Sequence, residues 1–211
     1  MKPFLVGLTL VLCSCSAESV GVQVTPAHAT PKGVVLQAQD VPVLKRCPQS
    51  ERWAVLMLNG EPEMLPVGMA NWSELQAGGA TDAWMSLYAD NVSECLLLFG
   101  SGGTPKGKLV YTAAIKFKDS ASAAADFASD SQNFPVAPNF AARFTAAGGQ
   151  LIRGTGTGLG ESSVAATITL GGAPRYAVLW QLKNFEAVVY ASNVSATEGS
   201  SDAVLMNGRI H

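Results

Sequence analysis

The sequence predicts an α+β fold: a mostly antiparallel sheet with helices packed on one face, closing in a C-terminal three-strand meander and a final helix. Three observations carry this. Leu109, Tyr111, Ala113, Ile115 and Phe117 alternate with Thr112, Lys116 and Lys118, the period of two that marks a strand. Asp119-Ser120 then caps an alanine-rich stretch to about Ala128. Finally, three alternating segments (Val164 to Leu170, Tyr176 to Leu182, Phe185 to Val189) are joined only by Gly171-Gly172 and Lys183-Asn184. Connections that short join antiparallel neighbours.

The remaining elements follow in order. Gly33-Val34-Val35-Leu36 opens the globular region, and Trp53 to Leu58 reads as a short strand before the Asn59-Gly60 turn. A helix is expected over Asn71 to Gln76, with Ser73 and Gln76 at capping-box spacing and Gly78-Gly79 as its stop. From Thr81 the period changes to two, and Cys95 to Phe99 reads as another strand. A helix with Phe140 and Phe144 one turn apart follows Pro138 and ends at Gly148-Gly149. Thr197 or Ser200 caps the last helix, which stops at Gly208. Ala77-Gly78-Gly79 and Ala147-Gly148-Gly149 admit two similar halves, or a coincidence in a chain rich in glycine and alanine.

At the N-terminus, Lys2 precedes an apolar run from Phe4 to Leu12, too short to span a bilayer and suited to a signal peptide. Leu12-Cys13-Ser14-Cys15 closes it: a branched apolar residue, a tolerated one, a small one, and a cysteine. This stretch resembles the lipobox of bacterial lipoproteins, which implies Cys15 as the lipid attachment site; an ordinary secretory signal cut after Ala17 is the alternative. The expected organisation is a signal peptide over residues 1–14, a lipidated N-terminus and flexible tether over 15–32, and a single domain over 33–211. The protein is then expected in the cell envelope, facing outside the cytoplasm and tied to the membrane through its lipid.

Hydrophobic residues make up 48% of the chain and charged residues 14%, which excludes a disordered chain. A net charge of -2 argues against nucleic-acid partners. The two histidines, His28 and His211, lie in the tether and at the last position, so the usual general base of a Ser or Cys triad is missing and most catalytic zinc sites are excluded. Beyond Cys15 only Cys47 and Cys95 remain. In an exported protein they pair most simply with each other, the alternative being two buried thiols.

No cofactor motif survives inspection. Gly102 to Lys108 has P-loop spacing, but Leu109 stands where a Mg²⁺-binding hydroxyl is needed and a strand follows, so it reads as a hairpin loop. The alternating glycines of Gly154 to Gly160 miss the dinucleotide fingerprint and read as a mobile loop. Glu61 and Glu63 flank Pro62 as solvated loop carboxylates. One constellation stands out. If Met85, Leu87 and Ala89 face the core, then Asp82, Trp84, Ser86 and Tyr88 share the opposite face, as a wet binding platform or as a second small core under a covering segment.

Val110 to Phe127 (VYTAAIKFKDSASAAADF), a strand feeding an alanine-rich helix through a polar turn, resembles an element of actinobacterial-type exported lipoproteins and kinase sensor-like ectodomains. The finish from Val164 to Ile210 is similar too. The resemblance implies an extracytoplasmic binding or sensing domain whose partner is a small ligand or an envelope protein. A histidine-independent envelope hydrolase and a structural envelope-assembly factor are the alternatives.

Overall fold

The computed structural model describes residues 28–51, 72–99, 105–135 and 141–211. The lipobox with Cys15, the stretch Trp53 to Leu58 and the pair Glu61 and Glu63 lie outside them. Among the described residues seven strands form one antiparallel sheet: β1 (Lys45–Arg46), β2 (Ala80–Ala89), β3 (Leu109–Phe117), β4 (Gln150–Arg153), β5 (Ser163–Leu170), β6 (Ala173–Leu182) and β7 (Phe185–Ser192). Their order is β1-β2-β3-β7-β6-β5-β4, so the last strand of the chain lies at the centre of the sheet.

The meander is as expected. Leu170 pairs with Ala173 across Gly171 and Gly172, whose φ values of 58° and 83° suit a two-residue hairpin turn. Leu182 pairs with Phe185 across Lys183-Asn184, and β7 then docks on β3 with Tyr111 opposite Tyr190.

Among the described residues five helices accompany the sheet: α1 (Pro31–Val34), α2 (Trp72–Ala77), α3 (Ser120–Asn133), α4 (Ala141–Ala146) and α5 (Ala196–Asn207). Asp119 caps α3 as expected, accepting from the Ser122 amide at 2.7 Å, but the helix runs on past Ala128 to Asn133. The cap of α5 is Ser195, two residues ahead of Thr197: its hydroxyl accepts from the Glu198 amide while the Glu198 carboxylate accepts from the Ser195 amide, a full capping box. Ser73 lies inside α2, which already starts at Trp72. Cys95 to Phe99, expected as a strand, belongs to a 3-10 segment over Val92–Phe99. Burial alone does not separate a short apolar strand from a helical turn.

Both sheet faces are covered. Leu109, Tyr111, Ala113, Ile115 and Phe117 of β3 pack with Met85, Leu87, Leu179, Val188 and Ala123 of α3. On the other face, expected to be partly wet, Val110, Val178, Trp180 and Val189 pack with Val34, Val35 and Leu36 and with Ala203 and Met206 of α5. The packed structure also starts ahead of residue 33: Thr30 caps α1, Pro31 is buried, and Lys116 donates to the Ala29 carbonyl at 3.0 Å. Cys47 and Cys95 are joined in a disulfide, with Cα atoms 5.9 Å apart, tying the strand at the sheet edge to the 3-10 segment.

Candidate functional site

The β2 residues do share a face, as the alternation requires, but that face is no wet platform. Ser86 and Tyr88 are buried, Trp84 and Asp82 half-buried. The chain from Val34 to Leu36 lies over them. Ser86 Oγ donates to the Leu36 carbonyl at 2.9 Å, and the Leu36 amide donates to Thr112 Oγ1 at 3.3 Å. The Tyr88 hydroxyl reaches the same carbonyl at 3.3 Å, and burial raises its pKa. Trp84 is capped by Lys32, whose Nζ lies 4.8 Å from the ring centroid. Asp82 accepts from the Ala83 amide. Trp84, Ser86 and Tyr88 hold the first segment of the domain onto the sheet, the second-core alternative, while Asp82 bonds within its own strand.

The glycine-rich stretches are also structural. In the described part of the P-loop-like sequence, the amides of Lys106 and Gly107 donate to Glu94 and that of Lys108 to Asp90. Those donors are occupied by carboxylates, and Lys108 Nζ bonds Glu198 at 2.6 Å. The expected mobile loop at Gly154 to Gly160 is instead a tight turn. Thr157 Oγ1 donates to the Gly154 carbonyl and Ser163 Oγ reaches that of Gly160 at 2.6 Å, while Leu159 is buried in the core.

A cavity of about 260 Å³ lies over the meander, on the face that carries α3. Its floor is two cross-strand rows: Ala166, Ala177 and Tyr190, then Ile168, Arg175 and Ser192. Pro135, just beyond α3, and Phe144 of α4 contribute to the wall. Phe144 is the one large side chain that α4 half-buries, and its ring occupies the space a side chain at Gly149 would need. Tyr190 packs against Phe134 in a tilted arrangement, with centroids 5.4 Å apart. Two polar atoms at this site, Arg175 Nε and Ser192 Oγ, are buried without a hydrogen-bond partner. Buried polar groups are nearly always paired, so each marks a place where a partner is due. A largely apolar cavity with a few convergent polar groups is the usual form of a small-molecule site.

Further along the same face of β7 lie three carboxyls: Glu186, with Asp126 and Asp130 one turn apart on α3. Their oxygens come within 4.8 Å of one another. Burial, then the charges of Asp126 and Asp130, push the Glu186 carboxyl well above its usual range. Burial and Asp130 raise Asp126 to about 6, and burial raises Asp130. Such a group can surround a divalent cation or hold protons; the raised values describe the protonated form.

Sequence reasoning missed the cavity residues. A signal was present: along β6 one row reads Arg175, Ala177, Leu179, Gln181, a lone cation leading into buried apolar positions. Reading only the Tyr176, Val178, Trp180 row as core hid it.

No protein-family profile matches the chain, and no curated protein does. Among solved structures, the extracellular domain of PknH from Mycobacterium tuberculosis is similar in fold, with a TM-score of 0.50 at 10% sequence identity, covering 85% of this chain and 94% of that one. At that identity the likeness concerns the fold alone. Among the described residues, no helix is long and apolar enough to cross a membrane.

Proposed function

We propose that this protein is a lipid-anchored, extracytoplasmic ligand-binding module of sensor-like architecture, with the cavity over the meander as its site. The observation that carries the reading is that cavity, largely apolar and holding two buried polar atoms without partners. The lipobox-like Leu12 to Cys15 and the Cys47–Cys95 disulfide support an exported, oxidising setting. The fold likeness to an extracellular kinase domain is in keeping with it. Native mass spectrometry of the envelope-extracted protein tests the proposal: a copurified small molecule is expected. Ile168→Trp, which fills the cavity from its half-exposed side, should release that molecule without lowering the melting temperature. Retention of the molecule by the filled variant would place it elsewhere.

A further inference from the structure

Resting on that reading, we infer that the cavity takes an apolar monocarboxylic acid, its carboxylate held by Arg175 and Ser192. These two residues face each other directly across β6 and β7. Ser192 is 1% exposed and its hydroxyl lacks a partner, as does Arg175 Nε beside it. Neither ion pair among the described residues, Lys108–Glu198 or Arg209–Asp40, uses Arg175. A guanidinium lining an apolar cavity calls for an anion. Its planar fork matches a carboxylate, and the Ser192 hydroxyl supplies one further donor.

The adjoining floor row of Ala166, Ala177 and Tyr190 is apolar apart from the Tyr190 hydroxyl, and Phe144 lines the wall beside it. The body of the ligand belongs there. Electrostatics orient it in the same sense. Glu186 is six residues from Ser192 on the same strand, roughly 20 Å at strand rise, and Asp130 acts on Tyr190, so the acidic cluster lies on the Tyr190 side of the cavity and repels a carboxylate toward Arg175. A cavity of about 260 Å³ falls just under the range of about 300–1,000 Å³ usual for drug-sized ligands, which points to a medium-length chain.

Calorimetry on the purified full chain with decanoate and decanol tests this, because the two share a chain length and differ in the head group. Decanoate should bind about tenfold or more tightly than decanol. Arg175→Gln should bring decanoate down to decanol's affinity and leave decanol unchanged, the second result showing that the variant is folded. Equal affinities, or decanoate binding indifferent to Arg175→Gln, overturn the carboxylate assignment. If both bind equally and Ile168→Trp abolishes both, the cavity reading stands and only the head-group assignment falls. If neither binds, the apolar monocarboxylate assignment falls, and the cavity reading is decided by the copurified molecule and its release by Ile168→Trp.

Discussion

The hydroxyls of Ser86 and Thr112 lie 2.7 Å apart across neighbouring strands, and together they hold both backbone groups of Leu36. Ser86 has one proton and gives it to the Leu36 carbonyl, so the proton between the two hydroxyls must come from Thr112. This pair seats the first segment of the domain on a face that would otherwise be wet. Ser86→Ala removes a buried donor and leaves that carbonyl with only the longer contact to Tyr88. Urea unfolding should show a loss of about 2 kcal/mol; no loss would mean that the segment is held by apolar contacts alone.

Gly199 stands inside α5, where alanine ordinarily stabilises by about 1 kcal/mol. Here a Cβ would collide with the Tyr176 ring and come within 3.1 Å of the Tyr176 Cβ, which is fixed by its strand. Gly199→Ala is therefore expected to destabilise by about 1–3 kcal/mol. A raised melting temperature would show that α5 can move off the sheet.

The disulfide closes a loop with a sequence separation of 48 residues. In the chain-entropy treatment that is about 4 kcal/mol of stability. Replacing Cys47 and Cys95 together by alanine should lower stability by an amount of this order, and alkylation of the denatured, unreduced protein should find neither thiol.

The acidic cluster sets a pH dependence. Asp126 has its pKa raised from 3.8 to about 6, and burial holds Glu186 well above its own usual value. The unfolded chain ionises these groups first, so they cost nothing at low pH and destabilise increasingly as pH rises through the unfolded values. For Asp126 the cost levels off above about 6; for Glu186 it continues upward. Glu186→Gln, which cannot ionise, should raise the melting temperature at pH 7 and leave it nearly unchanged at pH 4. An unchanged melting temperature at both would place the cost elsewhere.

Lipidation at Cys15 is the remaining prediction. Labelling with an alkyne palmitate should mark the wild type and spare Cys15→Ala, which should be released or kept as precursor. Equal labelling of both would exclude this site.

The strands and their faces were legible in the chain because a strand's period of two is local. Leu109 to Phe117 and the meander through Gly171-Gly172 show it, and the only pairing open to two remaining cysteines was legible for the same kind of reason. The cap of the last helix, expected at Thr197 or Ser200, was read late, since several hydroxyls near Ser195 suit the role and only the reciprocal carboxylate of Glu198 selects one. What covers a face is not local. That Trp84, Ser86 and Tyr88 lie beneath Val34 to Leu36 depends on contacts about 50 positions apart, such as Ser86 to Leu36. The cavity is decided at the same level: Ile168, Arg175 and Ser192 fall in one row only because β5, β6 and β7 pair in a particular register, and a slip of one residue would turn Arg175 to the opposite face. The sequence determined by itself which residues alternate and where the chain turns. Tertiary packing alone decided which alternating face is core and which polar side chains are left without a partner, because burial is a property of the neighbours brought from elsewhere in the chain.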